Sequence, residues 1–341
     1  MKILVVGSDK IFAIENFFVK YLKEKQVDLF HFPAQSMFYD YYQSGLLNKL
    51  IFKAGFSSVL NKINKKFRSA VIAFKPDVIW VFKGMELFPG SLQWAKDQNI
   101  KLVNYNPDNP FIFSGKGSGN DHLKKSIGLY DLHLTYNTDV KKKMEARFKI
   151  PTAILPFGFD ISDELFARCK EQLEICKVCF LGNPDIARGR FLQQLAEKGI
   201  QIDVYGNNWY KFVSHPHIKI FDPVYGDDFW LTLRKYRVQL NLDRPHTFAT
   251  HNMRSFEVPG VGGIELAPFT IDHATYFEPG KEIFLYKNED DCIAQIEKII
   301  ALPEVTANAI RDNARKRSVE SGYSYKHRAG QALAFIKKLY E

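Results

Sequence analysis

Short apolar runs rich in β-branched and aromatic residues recur along the chain, separated by stretches of helical length. In the first half they are KILVVG (2–7), VDLFHF (27–32), DVIWVF (77–82), KLVNYN (101–106), DLHLTYN (131–137) and TAILPFG (152–158). The second half repeats the rhythm with KVCFLG (177–182), IDVYGN (202–207), IKIFD (218–222), VQLNLD (238–243), GIELAPF (263–269) and EIFLYKN (282–288). Strands alternating with helices predict βαβ units and parallel sheets covered on both faces. Several runs stop at Gly, Asn or Asp, where ligand-facing loops begin at the carboxyl ends of such strands.

The pattern divides the chain into two Rossmann-like α/β domains, which we expect to face each other across a cleft. The boundaries fall at 1–160 and 161–322, followed by a terminal amphipathic helix at 323–341. A length of 341 residues agrees with two cores. No run approaches a membrane span, and Ile3–Val6 is too short for a signal-peptide core, so a cytoplasmic location is expected.

Charge sharpens this picture. Residues 1–150 carry 23 Lys and Arg against 13 Asp and Glu, a net +10 that exceeds the whole chain's +9. Leucines, isoleucines and phenylalanines between Leu46 and Phe67 interleave with Lys49, Lys53, Lys62, Lys65, Lys66 and Arg68. Such a stretch is either core packing with a wet basic face or peripheral contact with an anionic membrane. Nucleic acid is not expected, since no nucleic-acid motif accompanies the charge. The cysteines Cys169, Cys176, Cys179 and Cys292 form no disulfide framework, and the Cys176–Cys179 spacing inside a strand argues for ordinary buried thiols rather than zinc.

Candidate chemistry clusters in the second domain. After the strand ending at Gly182 and Asn183, a helix beginning near Ile186 places Arg188 and Arg190 in its first turn. Cations there oppose the helix dipole unless an anion is shared, which suits a phosphate or diphosphate. The segment 250–258 predicts a short helix ended by Pro259-Gly260, with Arg254 and Glu257 on one face. Glu257 either pairs with Arg254 or, as we expect, accepts the hydroxyls of a ribose, and Gly262-Gly263 reads as a tight helix-to-strand turn that also leaves room for the donor's diphosphate. In the first domain, SGKGSGN (114–120) is a loop able to cover an acceptor, and Asp108 is a candidate catalytic carboxylate.

The runs NMRSFEVPGVGGIELAPF and YFEPGKEIFLYKNEDDCIAQIEKI resemble the C-terminal signature of CgeB-type (spore maturation protein-like) glycosyltransferases, relatives of family 4 transferases with the GT-B fold. VNYNPDNPF, LPFGFD, VCFLGNPDIARGRFLQQL and IDVYGNNW follow the same family in order. The resemblance implies a nucleotide-sugar donor in the C-terminal domain, an acceptor in the N-terminal one, no cofactor and no metal, with the last helix packing on the N-terminal domain. It extends the donor-binding set to Tyr205, Gly206 and Asn252. Family 4 enzymes carry Glu-x7-Glu; aligned on Gly262-Gly263, Glu257 takes the second place and Ala249 the first. Glu265, which has the literal spacing from Glu257, is read as a strand residue. The implied reaction transfers a sugar to a glycan or lipid-linked acceptor in cell-surface polysaccharide or glycoconjugate synthesis. A sugar-nucleotide epimerase and a non-catalytic surface-assembly or glycan-binding protein are the alternatives.

Overall fold

Each half of the chain folds around a six-stranded, fully parallel sheet in a computed structural model that describes all residues except 12, 114–117 and 245–249. The first unit comprises Met1–Pro156 and Tyr325–Glu341, the second Phe157–Ser324.

In the first unit the strands are β1 (Lys2–Val6), β2 (Asp28–Phe32), β3 (Val78–Phe82), β4 (Lys101–Tyr105), β5 (Leu132–Thr135) and β6 (Thr152–Ile154), in the order β2-β1-β3-β4-β5-β6. The helices are α1 (Ile14–Glu24), α2 (Ala34–Gln43), α3 (Leu46–Lys53), α4 (Val59–Phe74), α5 (Pro89–Lys96), α6 (Asp121–Ser126) and α7 (Thr138–Phe148). Every residue of β3 is buried, which is why it reads as a continuous apolar run. Ile63, Phe67 and Val71 of α4 and Leu92 of α5 cover one face of the sheet through Leu4, Val6, Ile79 and Val81. Phe18 of α1 meets Trp80 on the other face, with ring centroids 5.1 Å apart.

The second unit has β7 (Ile175–Leu181), β8 (Ile202–Tyr205), β9 (Ile218–Phe221), β10 (Tyr236–Leu240), β11 (Glu265–Pro268) and β12 (Phe284–Tyr286). Its helices are α8 (Asp163–Lys170), α9 (Ile186–Glu197), α10 (Gly226–Lys235), α11 (Arg254–Gly260), α12 (Ile271–Tyr276), α13 (Glu289–Ile300) and α14 (Glu304–Glu320). The sheet order is β12-β11-β10-β7-β8-β9, so the chain starts in the middle, winds to one edge and returns to build the other. That order is the dinucleotide-binding arrangement, with a topological switch point between β7 and β10. Leu192 and Leu195 of α9, Ile296 and Ile299 of α13 and Ile310 of α14 close its larger core.

The chain then returns to the first unit through α15 (Tyr325–Lys337), whose Tyr325 ring stacks on Phe17 of α1 at 4.5 Å. All twelve strands lie where the apolar runs predict them. The cysteines differ in one respect: all are free, but Cys176 is exposed rather than buried. It stands in the opening residues of β7, before that strand's fully buried middle.

Candidate functional site

The switch point of the second sheet gathers most of the residues singled out in sequence. At the end of β7 the Gly182 N–H donates to the Tyr205 carbonyl at 3.0 Å, and the Gly182 carbonyl accepts from Trp209 Nε1 at 2.8 Å. This leaves no room beside Gly206, whose φ is +153° and where a Cβ would lie 2.3 Å from the Gly182 oxygen. Gly206→Ala is therefore expected to destabilise the second unit by about 2–3 kcal/mol. A urea midpoint unchanged by the substitution would contradict this packing.

The loop Gly182–Asp185 leads into α9, where the Asp185 carboxylate caps the helix by accepting the Arg188 N–H at 2.9 Å. The Arg188 side chain folds back over both strand ends. Its Nη1 donates to the Asn183 carbonyl at 3.1 Å and its Nη2 to the Leu242 carbonyl at 2.5 Å, the latter just beyond β10. Burial, followed by repulsion from Arg244, pushes the guanidinium pKa down to about 10, with Arg254 adding to the repulsion. Arg254 approaches from α11: its Nε donates to the Leu181 carbonyl at 3.2 Å, and its guanidinium lies 4.6 Å from the Phe229 ring centre. Three arginines thus converge where β7 and β10 diverge. Glu257 is buried and ion-paired to Arg254, the first of the two roles its place in the sequence allows.

A polar lattice fixes the floor. Asn241 Nδ2 donates to Glu265 Oε1 at 2.7 Å, and Asn252 Nδ2 donates to Asn241 Oδ1 at 2.7 Å. Asn252 Oδ1 in turn accepts the Arg254 N–H at 2.9 Å, tying the loop after β10 to the start of α11. Glu265, set aside in sequence as a strand residue, is fully buried in this floor. Burial raises the carboxyls of Glu265 to about 8 and Asp243 to about 7, and raises Glu257 against the opposing pull of Arg254. Glu265 therefore binds a proton in the folded chain between its ordinary 4.5 and about 8, where the unfolded chain has lost it. Its contribution to stability is present below that window and falls as pH rises through it. Glu265→Gln removes this loss, so the Tm of the variant should gain on that of the wild type between pH 6 and pH 8.5, by roughly the few degrees expected of 1 kcal/mol or more. Parallel pH profiles would refute it.

Other residues singled out in sequence take different places. Arg190 is exposed and, among the described residues, unpaired. Tyr205 turns its ring onto Phe221 at 4.7 Å, and its hydroxyl engages Tyr236 at 2.8 Å. Gly262 and Gly263 need correction as diphosphate neighbours. They precede β11, at the amino end of the sheet, and the space beside Gly263 is filled by Val258 and the Leu233 carbonyl, 2.8 and 3.0 Å from an added Cβ. A φ of +70° at Gly262 makes this the turn that ends α11. Beyond β8 and β9, Gly206, Asn207, Tyr210, Phe221 and their neighbours line a cavity of about 320 Å3. Ala249 and residues 114–117 of the expected covering loop lie outside the described residues.

The first unit holds a second set that sequence reading misses apart from Asp108. At the switch point between β1 and β3, the Glu15 carboxylate accepts the Ser8 N–H. The absence of a side chain at Gly7 is what admits it, since a Cβ there would stand 2.3 Å from Glu15 Oε1. Glu86, just past β3, is buried, and burial brings both carboxyls to about 7, with Lys83 opposing the rise. Lys83 Nζ meets Asp108 at 2.5 Å. No local motif announces Glu15 or Glu86; only the sheet order brings them together.

Two parallel Rossmann-like sheets of this order and connection form the GT-B fold of glycosyltransferases. Residues 188–334, less than half of the chain, match a family described as glycosyl transferase-like. The fold aligns along 100% of the chain with a glycosyltransferase from Rickettsia africae (TM-score 0.68, 14% identity, 98% of that chain). It aligns equally with sucrose-phosphate synthase from Thermosynechococcus elongatus (TM-score 0.71, 13% identity, 100% of this chain and 99% of that one). HepE from Anabaena, solved in complex with UDP-glucose, gives a TM-score of 0.67 at 13% identity over 99% of this chain and 100% of its own. No curated protein matches in sequence.

Proposed function

We infer that the chain is a glycosyltransferase that moves a sugar from a nucleotide-sugar donor to a glycan or lipid-linked acceptor in cell-surface glycoconjugate synthesis, in the manner of the CgeB-type enzymes it resembles. The convergence of Arg188, Arg244 and Arg254 at the switch point of the second sheet carries this reading. Arg188 and Arg254 already face Asp185 and Glu257, but three cations gathered between strand ends can take a further anion, and a diphosphate is the anion this sheet order receives. The donor's diphosphate lies against the arginines, its ribose on Glu257, and its base in the cavity beside Tyr210 and Phe221. HepE, of the same fold, was solved with UDP-glucose, which makes UDP the first nucleotide to test.

During transfer the acceptor oxygen bonds to the anomeric carbon as the bond from that carbon to the diphosphate oxygen breaks, the electron pair leaving with the nucleoside diphosphate. The arginines stabilise the charge that develops there, a role that needs no metal. The first unit takes the acceptor. Asp108, the carboxylate singled out in sequence, is already engaged by Lys83, whereas burial leaves Glu86 with a proton affinity near neutrality. Of the two buried carboxylates at the β1–β3 switch point, Glu86, just past β3 beside Lys83, is the one we propose to receive the acceptor's hydroxyl proton. Glu86→Gln should lower kcat by about a hundredfold and leave UDP affinity unchanged. Equal turnover in variant and wild type would remove Glu86 from this role.

A thermal-shift panel of nucleoside diphosphates and sugar nucleotides tests the reading. A matching donor at a hundred times its Kd should add about 2.7 kcal/mol of stability. A panel in which no nucleotide raises the Tm would overturn the donor site. Incubation with donor alone separates transferase from epimerase, because only the latter changes the sugar without an acceptor.

A further inference from the structure

We propose that α3, the turn after it and the outer face of α4 form a surface that docks the first unit onto an anionic lipid bilayer. This deepens the transferase reading by naming the surface on which a lipid-linked acceptor would be met, and it rests on that reading for the acceptor alone.

Residues 41–76 contain seven Lys and Arg and no Asp or Glu, most of the chain's formal +9. The structure shows how this stretch is divided. In α4, Ile63, Phe67 and Val71 point into the core, and Lys62, Lys65, Lys66 and Arg68 are exposed. No residue of α3 is buried. Leu46, Leu47 and Leu50 are 78%, 68% and 62% exposed, and Phe56, beyond the Gly55 turn, is 85% exposed. Four large apolar side chains within eleven residues are more than scattered surface hydrophobics, and core packing does not account for them. Among the described residues, none of Lys49, Lys53, Lys62, Lys65 and Lys66 is in an ion pair.

Exposed apolar side chains and unpaired lysines alternating along one stretch of the chain fit one environment better than others. The leucines and Phe56 enter the boundary between headgroups and acyl chains, while the lysines remain among anionic headgroups. A protein partner of the same shape would need a dense acidic rim to match seven cations without a counter-charge. No helix among the described residues is long and apolar enough to cross a membrane, so the contact is one that lies on the surface.

The test is co-sedimentation of the full chain with vesicles of phosphatidylcholine containing about 30 mol% phosphatidylglycerol, beside vesicles of phosphatidylcholine alone, at about 50 mM salt. Partitioning onto the anionic vesicles should be at least tenfold stronger and should weaken as salt rises. Each lysine near the surface contributes roughly fivefold, so Lys62→Gln, Lys65→Gln and Lys66→Gln together should cost about a hundredfold. Leu46→Ser, Leu50→Ser and Phe56→Ser together should abolish binding without lowering the Tm, because these three side chains are exposed and Phe52, which anchors α3 on the core, is kept.

Equal binding to both vesicle types, or unchanged binding by the serine variant, would overturn the proposal. So would a stable dimer that Phe56→Ser dissociates, since a second copy would then cover the patch. The UDP-induced Tm shift, measured on the same preparation, reports the donor site in the other unit. Its persistence without vesicle binding sinks this proposal alone, and its absence with vesicle binding sinks only the transferase reading.

Discussion

Glu174→Ala should lower the Tm by roughly 6–12 °C. Glu174 stands just before β7 and is the shared partner of Arg237 in β10 and Arg311 in α14, which are 7% and 3% exposed. Burial works to raise its carboxyl, yet the two guanidiniums hold it below the ordinary range. Removing the carboxylate strands two buried cations, and such losses cost about 3–5 kcal/mol. The lower end applies, because Arg237 keeps the Leu302 carbonyl at 2.7 Å and Arg311 keeps Asn308 at 3.1 Å. For a unit of this size about 3 kcal/mol corresponds to the stated shift. Glu174→Gln, which keeps an acceptor but not the charge, should fall between. A Tm within about 2 °C of wild type, under 1 kcal/mol at this size, would mean that the arginines find other partners.

Arg188→Met should have the opposite profile, a small change in Tm and a large one in ligand affinity. Its guanidinium bridges the Asn183 and Leu242 carbonyls at the switch point, and its pKa is driven down by burial and by Arg244. Methionine retains much of the packing against Phe180 and relieves the repulsion, at the cost of two carbonyls losing a donor. Charge-assisted hydrogen bonds to a phosphate contribute about 1.5–3 kcal/mol, so nucleoside diphosphate affinity should fall roughly 10- to 100-fold. Arg188→Lys should recover part of this, since an ammonium keeps the charge without the fork. A large fall in Tm with unchanged affinity would recast Arg188 as a structural bridge.

The fold was legible because strands buried on both faces must be apolar throughout. VIWVF in β3 carries that signal without any tertiary context. The residues of the proposed donor crevice were legible only in part. Arg188 and Arg254 stand out in sequence by sitting where a local rule disfavours or pairs them, and Gly206 through the family resemblance of IDVYGNNW. Glu265 hid because a carboxylate inside ELAP looks like a surface position, and only pairing with β10 shows that it lies beneath Asn241. Gly262-Gly263 misled for the converse reason: a tight turn and a ligand cradle have the same composition, and only the packed Leu233 carbonyl separates them. Tyr205 shares its segment with Gly206, but its ring lies on Phe221 over the sheet. Glu15 and Glu86 are 71 positions apart in sequence, joined only by the pairing of β1 with β3.

The central claim, a diphosphate site at the β7–β10 switch point, is tested most directly by calorimetric titration of UDP into the wild type, Arg188→Met and Lys83→Met. The account predicts a single saturable site in the wild type, weakened tenfold or more in Arg188→Met and unaltered in Lys83→Met, whose change lies in the first unit. Equal affinity in the wild type and Arg188→Met, or no binding of UDP or any other nucleoside diphosphate to the wild type, would contradict it.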